Sequence, residues 1–328
     1  MVLGSDSQLW RRNMVRVMEL LGSITAWRGR ERKKRYKHPK GPSTATISVP
    51  SFERTAPSIY LKDATSDRLI SSLCTFDQLD SPPFRKWAQA IREPWRPHRK
   101  LWELSFICQA LQERGCLAPG KAGLGFAVGT EKLPAFFASK GCRILASDLP
   151  SDDQRNKAWA ATGQWASGLL SLNEAGLCDP EEFRRLVSFR PIDMNEIPAD
   201  LTGFDFNWST CSFEHCGTIE LGLRFLEEQM RCLLPGGIAV HTTEFNLSSN
   251  DRTVTEGSYV LFRLKDIEQI VLALRGQGHD VEPIDLATGA RELDCYIDRP
   301  PYTQDRHLRL DLSGFASTSI ALIIRKAA

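Results

Sequence analysis

Between residues 123 and 325 short apolar runs alternate with stretches of helical spacing, and this alternation constrains the fold more than any other feature of the chain. The runs cover residues 123–127, 142–147, 187–192, 204–209, 237–243 and 318–325. Each is long enough for a strand covered on both faces and too short for an average helix. Helical patterns fit residues 131–140, 153–172, 219–233 and 265–277 between them. Strand and helix in alternation predict βαβ units. Right-handed crossovers then make a doubly wound α/β fold with a mostly parallel sheet.

The chain ahead of this region reads differently. Trp10, Met14, Val17, Leu21 and Ile24 recur at steps of four and three, which predicts an amphipathic helix over residues 9–27. Arg28, Arg30, Arg32, Lys33, Lys34, Arg35, Lys37 and Lys40 follow with only Glu31 against them, a run that self-repulsion keeps solvated. Residues 41–65 carry Pro42, Pro50 and Pro57 among Ser and Thr and read as an extended linker. A stripe of Leu101, Leu104, Ile107, Cys108 and Leu111 predicts a helix over 97–114 that leads into the main domain. The organisation expected is therefore an N-terminal helix, basic run and linker (1–65), an entry or cap segment (66–120) and a Rossmann-like domain (121–328).

Charge and cysteine usage narrow the class. A formal net charge of +2 gives no global pull toward nucleic acid, and the basic run offers only Tyr36 for stacking on a base. No nucleic-acid partner is expected. Nine cysteines without a CxxC pair read as reduced thiols of a cytoplasmic protein, with no metal site. No apolar run approaches the roughly 20 residues of a membrane span. Residues 1–40 suit peripheral contact with an anionic membrane or an acidic partner, or else a helix packed on the protein's own core with a solvated charge run behind it.

In open α/β sheets ligands sit outside the carboxyl ends of the strands, so the residues just after each run carry the chemical information. A small-residue turn, Gly123, Gly125, Ala127, Gly129 and Thr130, follows the first run and opens a helix. Asp148, with Leu149 behind it, ends the second, where a carboxylate can accept from both hydroxyls of a ribose. Asp193 and Met194 follow the third, placed to meet an adenine amino group and cover its ring. Ser209, Glu214 and His215 follow the fourth, and a Pro-Gly-Gly turn (235–237) leads into the fifth.

In order and spacing this set resembles the class I S-adenosylmethionine-dependent methyltransferases over residues 95–328. The resemblance implies a seven-stranded sheet of that type and S-adenosyl-L-methionine as cofactor. Its binding residues would be Gly125, Ala127, Gly129, Thr130, Asp148, Leu149, Asp193, Met194 and Ser209. The family turn usually reads acidic-x-Gly-x-Gly-x-Gly, whereas here Gly125 takes the acidic place, Ala127 the first glycine and Glu131 the last. Ala127 fits such a turn if its φ is negative. Gly125 removes a carboxylate that in the family helps hold the methionine end, so that contact must come from elsewhere. Glu131 disfavours a dinucleotide, whose pyrophosphate a carboxylate at the helix N-terminus would repel, and is harmless or helpful to a ligand carrying a sulfonium and an ammonium; equally, it is a first-turn residue that complements the helix dipole.

Methyl transfer needs in-line alignment, and a base only for hydroxyl or protonated amine acceptors. Glu244 and His241 are the expected catalytic residues on the acceptor side, a buried core histidine being the alternative for His241. His98, Arg99, Lys100, Trp102 and Glu103 open the entry helix, where this family often covers its cofactor. Residues 259–263 and 300–307 are further polar and aromatic segments available to wall a pocket. The function expected is methyl transfer to a small-molecule or glycan-type acceptor. The alternatives are a non-catalytic scaffold on the same fold and, further off, a nicotinamide-dependent oxidoreductase; the oligomeric state is not readable.

Overall fold

The computed structural model describes residues 59–60 and 68–328, except 154, 156–164, 166–167 and 304. The expected N-terminal helix, the basic run and nearly all of the linker lie outside the described residues. So does most of the helix expected over 153–172, of which the described end, Leu169–Asn173, is a 3-10 turn.

Ten strands form one sheet: β1 (Ser71–Leu73), β2 (Ala122–Phe126), β3 (Arg143–Asp148), β4 (Val187–Pro191), β5 (Phe204–Thr210), β6 (Leu233–Asn246), β7 (Asp280–Val281), β8 (Ile284–Asp285), β9 (Leu310–Leu312) and β10 (Phe315–Arg325). The order along the sheet is β4-β3-β2-β5-β6-β10-β1-β8, with β7 and β9 also pairing to β10. From β4 through β6 every pairing is parallel. The long β10 then runs antiparallel to β6, from Ser317 opposite Asn246 to Arg325 opposite Ile238. All six apolar runs are strands, and the doubly wound α/β arrangement is present. The sheet extends beyond seven strands because β1, β7, β8 and β9 add two or three residues each, too few to leave a periodic signal.

Eight α-helices accompany the strands among the described residues: α1 (Phe76–Leu79), α2 (Pro82–Ala90), α3 (Arg99–Glu113), α4 (Leu133–Ala138), α5 (Pro180–Leu186), α6 (Ile219–Glu228), α7 (Leu264–Gly276) and α8 (Glu292–Cys295). Their starts follow from capping chemistry. His98 Nδ1 accepts from the backbone N–H of Lys100 to open α3, Thr218 Oγ1 accepts from Leu221 N–H to open α6, and the Asp266 carboxylate in the first turn of α7 accepts from Arg263 N–H. Core residues from α2, α3, α4 and α5 pack on one face of the sheet, and those from α6 and α7 on the other. Helix α3 is buried on nearly all sides, with Trp102, Phe106, Ile107, Cys108 and Leu111 all inaccessible. That burial matters for function, because the first turn of α3 carries charged residues inward, with Lys100 donating to the Thr210 carbonyl at the carboxyl end of β5 and Arg99 pairing with Glu244.

Candidate functional site

The strand order reverses between β2 and β5: from β2 the chain steps outward to β3 and β4, then crosses back to β5. A crevice opens at such a switch point because the flanking connections leave in opposite directions. Here it is a cavity whose wall is built from four strand ends. Ala127 to Glu131 follow β2, Asp148 and Leu149 close β3, Ile192 to Asn195 follow β4, and Thr210 to Ser212 with His215 and Cys216 follow β5. Glu93, Arg96, Lys100, Leu101 and Leu104 cover it from the α2–α3 connection and α3.

Ala127, Gly129, Thr130, Asp148, Leu149, Asp193 and Met194 therefore converge on one cavity, far apart in sequence as they are. Asp148 is buried, and its two carboxylate oxygens accept from the N–H of Gly129 and of Leu149 at 3.1 and 2.8 Å. Those bonds fix the carboxylate between the β2 turn and the β3 end. Asp193 accepts from Asn195 N–H at 2.9 Å and from Arg155 Nη2 at 2.5 Å. Arg155 in turn clamps Asp153, so an arginine spans the cavity edge between two carboxylates. Met194 is buried beside them.

The turn after β2 departs from expectation. Ala127 has a φ of 46° and Cys211, across the switch point, one of 52°. Two residues with Cβ atoms thus occupy the left-handed region at the cavity wall, at a cost of about 1–2 kcal/mol each. The condition under which Ala127 would fit the turn without strain, a negative φ, is not met: the turn keeps the backbone conformation that favours glycine and imposes it on alanine.

Gly125 and Ser209 do not line the cavity. A Cβ on Gly125 would come within 2.5 Å of Trp208 Cζ2, so the glycine makes room for that indole. Trp208 Nε1–H then donates to Glu131 Oε1 at 2.7 Å. Glu131 faces the cavity, and burial pushes its carboxyl up to about 7. Ser209 Oγ is hydrogen-bonded to His241 Nδ1 at 2.8 Å, beneath the wall.

Neither expected catalytic residue reaches the cavity. His241 is inaccessible, packed edge-on against Phe213 and Phe225, and burial alone drives it down to about 3. It is a neutral core imidazole, the alternative the sequence had left open. Glu244 lies one layer behind the wall in a buried charged cluster. It pairs with Arg99 and accepts from Ser317 Oγ at 2.7 Å. Arg99 also meets Glu103 at 3.3 Å and Cys211 Sγ at 3.2 Å, while Lys100 Nζ sits 3.0 Å from Glu103 and donates to the Thr210 carbonyl at 3.0 Å. Burial raises the carboxyls of Glu244 and Glu214, with Arg99 opposing the rise at Glu244. Glu103 is the opposite case: burial alone would raise it, but Lys100 and Arg99 together hold it below the ordinary range.

Among the described residues one donor set, Cys211, Glu214 and Glu244, is close enough to hold a cation, its ligand atoms lying within 4.8 Å of one another. The Arg99 guanidinium already reaches both Cys211 and Glu244 and supplies the positive charge there.

Sequence reasoning named Lys100 at the entry helix, and it lines the cavity; Arg99, Trp102, Glu103 and His98 are buried behind it. Sequence reasoning passed over Glu93, Arg96, Arg155, Cys211 and Cys216 because no spacing rule links a cap or a mid-loop residue to a strand end. His215 does face the cavity. Its Nδ1 lies 2.6 Å from the Ser258 carbonyl, which only accepts, so Nδ1 carries the proton, while Nε2 lies 3.8 Å from Glu214 Oε1. Burial lowers this imidazole to about 4. None of residues 259–263, 300–303 and 305–307 lines the cavity; Tyr259 and Tyr302 pack with Leu310 and Leu312 in a separate cluster.

No protein-family model and no curated protein sequence matches the chain. Among solved structures it is similar to a 1,6-didemethyltoxoflavin-N1-methyltransferase of Burkholderia thailandensis with 1,6-didemethyltoxoflavin and S-adenosylhomocysteine bound (14% identity, 76% of this chain and 80% of that one, TM-score 0.40). It is also similar to phosphoethanolamine N-methyltransferase 2 of Haemonchus contortus in complex with S-adenosyl-L-methionine (14% identity, 78% of this chain, TM-score 0.42), of whose length it spans 61%. A third is an S-adenosylmethionine-dependent methyltransferase from Mesorhizobium loti (12% identity, 66% of this chain and 96% of that one, TM-score 0.41). The fold is a mostly parallel α/β sheet with helices on both faces. No helix of the described residues is long and apolar enough to cross a membrane.

Proposed function

We propose that this protein transfers a methyl group from S-adenosyl-L-methionine to a small-molecule acceptor, glycan-type metabolites included. The observation that carries this reading is the convergence of Asp148 and the Asp193–Met194 pair, from successive strand ends, on one cavity at the switch point. The fit is chemical. Asp148 is oriented by two backbone donors and keeps acceptor capacity for ribose hydroxyls. Asp193 offers a carboxylate to an adenine amino group, with Arg155 as its competitor, and Ile192, Met194 and Leu149 give the apolar surface a flat ring needs.

The bound cofactor supplies a methyl group already activated on sulfur. The chain's own residues then have three tasks. Asp148 and Asp193 orient the nucleoside; Leu101, Leu104 and the α2–α3 connection exclude water; and His215, on the β5 side, presents a neutral imidazole to whatever lies beside the cofactor. Glu244 and His241 carry no step in this reading. A small acceptor is favoured because α3 and the residues before it roof the cavity. Nine free cysteines, seven of them buried, support a reducing, cytoplasmic setting, and the basic segment within residues 1–40 supports peripheral contact with an anionic surface.

Calorimetry with S-adenosylhomocysteine tests the reading. The wild type should bind, and Asp148→Ala should lose at least about tenfold in affinity, since a single charge-assisted hydrogen bond is worth roughly 1.5–3 kcal/mol. A folded Asp148→Ala protein that binds as well as wild type would remove Asp148 from the ribose.

A further inference from the structure

We propose that Glu131 is the binding residue for a primary ammonium, that of the cofactor's amino-acid end, at the β2–β5 end of the cavity. The inference rests on the cofactor reading above and deepens it, and three observations carry it.

The first is direction. Asp193 and Met194 stand after β4 and Asp148 at the end of β3, so a nucleoside held by them has its base over β4 and its ribose over β3. The remainder of the ligand, beyond the ribose, continues along the sheet edge toward β2 and β5. From β4 to β5 is three inter-strand steps, about 14 Å, which suits an extended adenosyl amino acid. Glu131 lies at that far end, after β2 and bonded to Trp208 of β5.

The second is that no cation of the described residues forms an ion pair with Glu131, although Arg96, Lys100 and Arg155 line the same cavity. The other charged groups around Glu131 are spoken for: on α3, Lys100 pairs with Glu103 and donates to the Thr210 carbonyl, and Arg99 pairs with Glu103 and Glu244. Asp148, at the end of β3, has the same sign as Glu131. No ion pair to Glu131 is present among the described residues. A carboxylate on a cavity wall that accepts from the neutral Trp208 N–H, and that Lys100 influences only through space while paired to Glu103, is stabilised by a cation entering that cavity.

The third is the exchange of side chains that puts the carboxylate there. Position 125, on β2, cannot carry a side chain while the Trp208 ring fills its space, the built Cβ falling 2.5 Å from Trp208 Cζ2. The same ring holds Glu131 by its Nε1–H. One indole thus closes position 125 and orients a carboxylate six residues later.

The test compares two nucleosides that differ at the amino-acid end. S-adenosylhomocysteine has the ammonium; 5′-deoxy-5′-methylthioadenosine lacks the whole amino-acid chain, and neither has a sulfonium. Glu131→Gln, which keeps a carbonyl for the Trp208 N–H, should weaken S-adenosylhomocysteine by about tenfold and leave methylthioadenosine unchanged. Wild-type protein at pH 7 should release protons on binding S-adenosylhomocysteine, measured in buffers of different ionisation heat, and none on binding methylthioadenosine. That second measurement stands even if the variant does not fold. Equal weakening of both ligands, no weakening of either, or no proton release overturns the assignment. If the wild type binds neither nucleoside, the cofactor reading itself falls, and this inference with it.

Discussion

Glu131 also has a predictable effect on the ligand-free protein. Its carboxyl group, ordinarily titrating at 4.5, holds its proton up to about 7 in the folded state. The folded pKa is raised, so the associated stability is fully present below pH 4.5 and is lost as pH rises through 7. Each unit of displacement corresponds to 1.36 kcal/mol, giving a ceiling of about 3 kcal/mol, and partial exposure to water reduces this to about 1–2 kcal/mol. An unfolding entropy of about 2.1 cal/mol/K per residue, taken over 328 residues, converts that to roughly 2–3 °C. Glu131→Gln does not titrate and keeps the acceptor for Trp208. Calorimetric melts without ligand should therefore show variant and wild type nearly level at pH 4, and the variant higher by that margin at pH 8. A constant difference across the range, or a variant less stable at pH 8, would refute the claim that an uncompensated carboxylate sits in the cavity wall.

Other substitutions address the surroundings of the site. Ala127→Gly relieves the left-handed strain of about 1–2 kcal/mol, less about 0.5–1 kcal/mol of added chain entropy, so its thermal midpoint should rise by about 1 °C; a fall would show that the methyl group packs usefully. Arg99→Met leaves Glu103 and Glu244 without their shared cation and should cost at least about 3 kcal/mol, whereas Glu244→Gln, which imitates a protonated carboxyl, should cost under about 1 kcal/mol. Equal losses in chemical denaturation would contradict that division of roles. Removing residues 1–40 should abolish salt-sensitive co-sedimentation with anionic vesicles while leaving S-adenosylhomocysteine binding intact. Full-length protein that never sediments with such vesicles at low salt would end the membrane version.

Much of the site was legible because chemistry at a strand's carboxyl end is a local matter. Asp148, Asp193 and Met194 follow apolar runs directly, and a run's end can be read from residue type alone. Ala127, Gly129 and Thr130 were legible for the same reason. Gly125 and Ser209 were not, because a strand's last residues alternate faces and the sequence does not say which face the cavity takes. Glu244 and His241 differ from the cavity-lining residues in depth. Both stand on β6, one step farther along the sheet than the cavity reaches, where Arg99 from α3 and the rings of Phe213 and Phe225 enclose them.

The sequence by itself determined the alternation of six apolar runs with helices, the parallel doubly wound sheet that this alternation requires, and the acidic residues at two strand ends. These depend on hydrophobic period and short-range order, which act between near neighbours in the chain. Only the tertiary structure decided that α3 would bring Arg99, Lys100 and Glu103 against β5 and β6, and that Trp208 would occupy the space left by Gly125 and present Glu131. Those outcomes depend on which side chains meet across tens or hundreds of residues. Close packing settles such meetings by shape and by the cost of leaving a buried charge unpaired, neither of which a single stretch of sequence contains.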